Sequence, residues 1–493
     1  MYQPRRNVRR ALLAGALIGG AVGAELHTAA VQAATPVEQI EAPEQEVGDA
    51  PNMPTGYAPV NFNGSSTVVS GGITYHALAG LTNTGSAHAA AVAGNFYGSG
   101  TPGGAFTTTV YDDDADYFFG DVDPQPSVGV GAIPGNFAGG SKVINNSYIA
   151  DGSGAEPAFS DVDAYRRIDY MIATDDVTFV TAAVSQLTDS NNVTTNYALN
   201  WSAYNSLAVT GDEQVFSPAN YPGGAPGKAH ADLFGGPGDA SFSTAAVSSY
   251  AQGLYGNAEA AGQTDAQHGI VVRSLLMAGA DKSSYTGPYT ANHLSVQNGA
   301  GTADYTTSLA ILRGGERTIV DGQSNTTIIN PPTSTSAAGW AYGYVNGNSD
   351  HDYIFIHSDS PISAITASLN WNVTQTVDAS NDSIDTSSSQ FPDVGLELVP
   401  VTNIGNNVMV IGGQTESALI SVLPENTDNE QFLSFTGSLP AGDYAFEFIG
   451  DPSASLGTDV GFSYAITEVP EPGSLAGAAL VAGWCLRRRR RIV

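Results

Sequence analysis

The stretch DVDAYRRIDYMIATDDVTFVTAAVS, residues 161–185, carries two patterns one after the other. In the first part Tyr165, Ile168, Tyr170, Met171 and Ile172 recur at helical spacing. From Asp176 onward the apolar residues run on without alternation, as in a strand covered on both faces. The same pairing continues outward. SKVINNSYI (141–149) and NSLAVTG (205–211) read as further strands, and SFSTAAVSSYAQGLYG (241–256) and AQHGIVVRSLLMAGADK (266–282) read as helices. The second of these helices carries apolar residues at Ile270, Val271, Leu275 and Leu276. Alternation of this kind predicts an α/β domain with a mostly parallel central sheet and helices on its faces.

Past residue 317 the pattern changes. WAYGYV (340–345), DYIFIH (352–357), AITASLNWNV (364–373), VGLELVPV (394–401), YAFEFIG (444–450) and GFSYAITEV (461–469) are short runs with much alternation, spaced by Asn, Asp, Gly, Ser and Pro. They predict an all-β sandwich. The chain of 493 residues thus divides into a leader at 1–33, an α/β domain at 34–316, a β-sandwich at 317–468 and a short hydrophobic tail at 469–493.

Composition narrows the chemistry. There are 48 Asp and Glu against 17 Lys and Arg, and nine of the basic residues lie at the ends, as Arg5, Arg6, Arg9, Arg10 and Arg487 to Arg491. The body between is strongly acidic and is repelled by phosphate backbones, which argues against nucleic-acid binding. The single cysteine, Cys485, lies in the tail, so a disulfide framework, a thiolate nucleophile and a zinc–thiolate site are excluded from the body.

The leader has a basic start and an apolar run from Ala11 to Ala24, with small residues for cleavage after Ala24 or Ala33. This is the layout of a secretory signal peptide, the other reading being a buried first helix. The tail VPEPGSLAGAALVAGWCLRRRRRIV joins a Pro-Glu-Pro turn, an apolar stretch from Leu475 to Leu486 and five arginines. An apolar stretch this short is a marginal membrane span, and its arginines would stay cytoplasmic. The tail resembles the PEP-CTERM sorting signal of bacterial exported proteins, with Pro470, Glu471 and Pro472 as its motif. That resemblance implies an exosortase-type sorting enzyme as partner, transient membrane contact through the tail, and a protein exported to the bacterial envelope, cell surface or extracellular space.

Two motifs carry candidate chemistry. HAAAVAG (88–94) and ASFSTAAVSS (240–249) each open a helix, and a helix N-terminus stabilises an oxyanion through its free N–H groups and dipole. Both resemble motifs of subtilisin-type serine peptidases, the subtilases. The family's His-Gly-Thr-x-Val-Ala-Gly is kept at His88, Val92, Ala93 and Gly94. Its Gly-Thr-Ser-Met-Ala-x-Pro-x-Val-Ala is kept at Ser241 and Val247, with Phe242 for Met and Ala245 for Pro. KVINNSY (142–148), VTFVTAAVS (177–185), YNSLAVTG (204–211), VVRSLLMAGADK (271–282) and GAGTADYTTSLAIL (299–312) resemble other family segments in the family's order, so the resemblance spans roughly residues 36–315.

The resemblance implies an acid–His–Ser triad with Ser241 as nucleophile and His88 as base. No Asp or Glu occurs between Ala50 and His88, and VEQIEAP (37–43) puts Glu41 in the acid's place; its other reading is a Pro/Glu-rich linker. The family's oxyanion asparagine corresponds to Ser185, with Asn191 or Asn192 as substitutes from the next loop. The expected function is an exported serine endopeptidase acting on peptide or protein substrates without a cofactor. The alternative is a catalytically inactive surface or matrix protein of subtilase fold, since Ala89 and Ala90 replace the family's Gly-Thr.

YDDDADYFFGDVD (111–123) offers Asp112, Asp114 and Asp116 for a structural calcium ion, against the reading of a solvated acidic loop. SDHDYIF (349–355), with Asp350, His351 and Asp352, reads as an ordinary polar turn. The β region resembles sandwich domains appended to secreted bacterial peptidases. This implies a role in folding or in substrate or matrix attachment, the other reading being a spacer.

Overall fold

The computed structural model describes residues 35–469 apart from 42–57, 64, 79–84, 115–117, 119–135, 148–160, 185, 189–193, 197–202, 213–227, 229, 291, 323–326, 348–350, 379–382, 391–393, 404–407, 412–419, 423–428 and 451–456. The first half is organised on ten strands: β1 (Val37–Glu41), β2 (Thr67–Ser70), β3 (Ile73–Ala77), β4 (Thr109–Asp114), β5 (Val143–Asn146), β6 (Thr178–Ala182), β7 (Gln186–Thr188), β8 (Thr194–Asn196), β9 (Leu207–Thr210) and β10 (Leu233–Phe234). β7 and β8 form a small ribbon, and the other eight form one sheet in the order β10-β9-β6-β5-β1-β4-β3-β2. Five helices accompany them among the described residues: α1 (Ala87–Phe96), α2 (Asp161–Asp175), α3 (Ala240–Ala260), α4 (Gly269–Ala278) and α5 (Tyr305–Gly314).

The pleat sorts the side chains of the central strands to two cores. Val37, Val143, Val180 and Leu207 meet Val92 and Phe96 of α1 and Val247 and Leu254 of α3 on one face. Ile40, Ile144 and Phe179 meet Ile168, Met171 and Ile172 of α2 on the other. This is why the apolar run at 176–185 shows no alternation: both of its faces are covered.

Beyond α5 the described elements are all strands. A four-stranded antiparallel sheet runs Ala338–Val345, Thr458–Glu468, Ile362–Trp371, Glu430–Leu439 in spatial order. A second eight-stranded sheet, mixed and mostly antiparallel, runs along the path Val320–Asp321, His351–Ser358, Gly442–Gly450, Val394–Asn403, Val408–Ile411, Thr327–Ile329, with two short strands off it. Ile354, Leu396, Phe446 and Phe448 of this sheet pack against Leu369, Trp371, Phe462 and Tyr464 of the four-stranded one. The outer face of the four-stranded sheet lies on α4. Ser274 Oγ is 2.7 Å from Ser463 Oγ, and Thr366 Oγ1 donates to Ala278 O at 2.9 Å. The approach is so close that a Cβ on Gly461 would stand 2.5 Å from the Ile270 carbonyl carbon.

The expected class, an α/β subtilisin-like domain with a mostly parallel central sheet and a sandwich behind it, is corrected by this arrangement. The protein is mostly β: twenty-four strands stand against five helices among the described residues, and several of its sheets are antiparallel. Parallel pairing occurs at β3–β4, β4–β1, β1–β5, β5–β6, β6–β9 and β9–β10, while β2–β3 is antiparallel. Among the described strands of the second half, the parallel pair is Thr333–Ser334 beside Phe355–Ile356. The alternation between residues 141 and 282 gave helices a weight that the strand-rich remainder of the chain removes.

Candidate functional site

β1 delivers a carboxylate to α1. Gln39 and Glu41, two residues apart, emerge on the same side of the strand. Gln39 Nε2 donates to Glu41 Oε1 and to Ala89 O, both at 3.0 Å, while Tyr97 Oη donates to Gln39 Oε1 at 2.6 Å. Burial, followed by the neighbouring Tyr75, Asp112 and Glu41, holds the Tyr97 phenol well above its usual range, so it remains a donor. These bonds fix the amide of Gln39 and, through it, one oxygen of Glu41.

The other oxygen reaches His88. Ser86 caps α1 by accepting the Ala89 N–H, which sets the first turn of the helix and places His88 in it. His88 Nδ1 lies 3.1 Å from Glu41 Oε2. Glu41 is 1% exposed and His88 28%, so a buried acid supports a histidine that solvent can reach. A carboxylate on Nδ1 selects the tautomer in which Nδ1 carries the proton and Nε2 accepts one.

Ser241 enters from α3. The loop before it turns through Gly236 and Gly238 at φ 122° and 115°, a region that only glycine occupies without strain. Asp239 then caps the helix, its Oδ1 accepting the Ser241 N–H at 2.9 Å. The Ser241 hydroxyl donates to Ser147 O at 2.8 Å, and the Ser147 hydroxyl donates back to Ser241 O at 3.0 Å. The next residue, Phe242, is partly exposed, and its ring centroid lies 5.7 Å from that of His88. Glu41, His88 and the first turn of α3 therefore gather beside the C-terminal ends of β1 and β5. Glu41 and His88 are in contact, while the Ser241 hydroxyl is turned to the carbonyl of Ser147.

Ser185, Asn191, Asn192, Asp116 and the tail motif Pro470, Glu471 and Pro472 lie outside the described residues, as does Asp350. The acidic run is not a solvated loop where it is described: Thr109–Asp114 is the strand β4, with Asp112 and Asp113 buried on its opposite faces. The side chain of Asp114 is outside the described residues. The polar turn expected at 349–355 is likewise a strand from His351, whose Nδ1 lies 2.6 Å from Glu447 Oε1, with Asp352 buried beside it.

Among the described residues one group, His230, Asp232 and Glu430, brings three ligand-type atoms together. Cations already neutralise it: Lys228 Nζ lies 2.6 Å from Asp232 Oδ2 and Arg273 lies 3.5 Å from Glu430 Oε2. A further dication would add uncompensated positive charge to a buried cluster.

Sequence reasoning missed Gln39, Tyr97, Ser147 and Asp239. Two of these left a signal: Gln39 shares the strand face of Glu41, and Asp239 precedes a small-residue helix at the position where an acidic cap is favoured.

No protein-family model matches the chain, and no curated protein does. The chain has a weak structural likeness to a lanthipeptide protease, with 13% identity, TM-score 0.33, and coverage of 56% of this chain and 87% of that one. Others are the mitogen of Yersinia pseudotuberculosis (12% identity, TM-score 0.16, covering 27% and 90%) and a β-1,3-glucan binding CBM6 from Bacillus halodurans (9% identity, TM-score 0.15, covering 31% and 96%). Likenesses this weak fix neither fold nor chemistry.

Proposed function

We propose that the chain is a serine endopeptidase with the acid, His, Ser chain order of the subtilisin type, and that it is exported and sorted through its C-terminal tail to the bacterial envelope. The contact between buried Glu41 and part-exposed His88, residues far apart in sequence, is the observation that carries this reading. Ser241 Oγ attacks the peptide carbonyl carbon and gives its proton to His88 Nε2, while Glu41 stabilises the imidazolium through Nδ1. His88 then returns the proton to the leaving amine, and water releases the acyl group by the same route. The hydroxyl has to rotate from Ser147 O toward the imidazole, in keeping with catalytic hydrogen bonds that form only around bound substrate.

A second reading, a non-catalytic surface or matrix protein, is favoured by the same two bonds at Ser241, because both its hydroxyl and its N–H are engaged within the protein. A serine-directed fluorophosphonate probe separates the two. On the peptidase reading the protein labels at Ser241, and Ser241→Ala and His88→Ala abolish the label. Labelling of the wild type no greater than that of the variants counts for the non-catalytic reading.

A further inference from the structure

The bond between Asp239 and the Ser241 N–H bears directly on the proposed chemistry. When a serine hydroxyl adds to a carbonyl, the oxygen of that carbonyl becomes an oxyanion beside the serine's own backbone N–H, which is one of the donors that stabilise it. Here Asp239 Oδ1 holds that donor at 2.9 Å. An Asp cap at this position does two things. It occupies the hydrogen, and it sets a negative charge where negative charge must develop. On the other side of the same turn, the Ser147 carbonyl keeps the hydroxyl hydrogen. Both reacting features of Ser241, its Oγ–H and its N–H, are thus held by acceptors of the protein itself.

We propose that Asp239 is a positioning residue that keeps the Ser241 site in a closed resting state, and that the serine becomes reactive when this carboxylate leaves the Ser241 N–H. The inference rests on the peptidase reading and deepens it: the site is restrained by its own helix cap. The two bonds that favoured a non-catalytic protein become the restraint on a catalytic one. Asp239 acts through the N–H of Ser241 and touches no substrate, so its effect falls on the turnover step, with substrate binding little changed.

The two functions of the residue, cap and charge, separate by substitution. Asp239→Asn keeps a side-chain oxygen for the Ser241 N–H and removes the charge. Asp239→Gly removes both, and glycine is itself a tolerated cap. The experiment uses the full chain and measures the rate constant for fluorophosphonate labelling, with the labelled residue located by peptide mapping and with Ser241→Ala as the blank. In that reaction the Ser241 Oγ–P bond forms, fluoride leaves, and the hydroxyl proton passes to His88, while the phosphoryl oxygen needs the same N–H donor.

Asp239→Gly is expected to label about a hundredfold faster than the wild type, the worth of one oxyanion donor. Asp239→Asn should lie between them and keep the melting temperature of the wild type. On a chromogenic peptide the gain should appear in kcat with KM unchanged. If Asp239→Gly destabilises the fold, Asp239→Asn decides alone. Wild-type labelling at Ser241 with no acceleration in either folded variant overturns the inference and leaves the peptidase reading standing. Absence of label at Ser241 in all three proteins overturns both.

Discussion

Gln39 shows how much of a site can depend on a residue without reactive chemistry. Its amide holds one oxygen of a carboxylate that is 1% exposed, and its own oxygen is held by Tyr97. Replacing it with leucine leaves Glu41 Oε1 without that donor in a buried setting. Gln39→Leu is therefore expected to lose about 1–3 kcal/mol of stability in urea unfolding and to slow labelling of Ser241. The helix starts that carry His88 and Ser241 were legible in the sequence, as small-residue runs resembling a family's motifs. Glu41 was legible only as one of two readings, since a short strand flanked by Pro and Glu looks like linker until its partners are known; the partners, β4 and β5, are distant in sequence. Asp239 was hidden for a different reason. The composition of the turn shows that a cap is present, and says nothing about which N–H the carboxylate will accept.

At the scale of elements, α4 shows the limit of periodicity. Every residue from Gly269 to Ala278 is buried, including Arg273 and Ser274, because one side of the helix faces the first-half core and the other faces the four-stranded sheet. The sequence marks a helix here and places its apolar residues correctly, but it gives no partner for the polar ones. Their partners, Ser463 and Asn370, lie far along the chain in strands whose small and polar residues suit a helix at close range. At Gly461 that contact is so close that even a methyl group requires the helix to move. Gly461→Ala is expected to cost about 1–3 kcal/mol, as overpacking typically does, measured as a lowered denaturation midpoint with an unchanged slope.

Across the whole molecule the two halves are joined by buried polar groups as well as by apolar ones. Arg273 donates to Asn370 of the four-stranded sheet and to Asn205 O of the first half, and it stands beside Glu430. Asp169 lies in the same region, its Oδ1 accepting the Asn205 N–H at 2.7 Å. Burial pushes its carboxyl up to about 7, against the opposing pull of the Asn205 and Tyr204 N–H groups and then of Lys228 and Arg273. The native state thus keeps a proton that the unfolded chain releases near pH 4. Stability from this group is complete below that pH and is lost as pH rises through about 7. Asp169→Asn should match the wild type at pH 4 and melt about 2 °C or more above it at pH 8, in parallel thermal scans. Such long-range pairing is also what the sequence does not show: the strands past residue 317 are legible as strands, and their partners are not. Local alternation reports on neighbours along the chain, whereas strands such as Ile362–Trp371 and Thr458–Glu468 find each other across a hundred residues. The place of Thr458–Glu468, the last of the described strands, has a mechanical consequence. Thr458–Glu468 lies between Ala338–Val345 and Ile362–Trp371, antiparallel to both, and the chain leaves it at Val469. A pull on the chain beyond Val469 along the strand loads both ladders of hydrogen bonds in shear, all rungs together, so the fold resists tension applied where the proposed sorting tail begins.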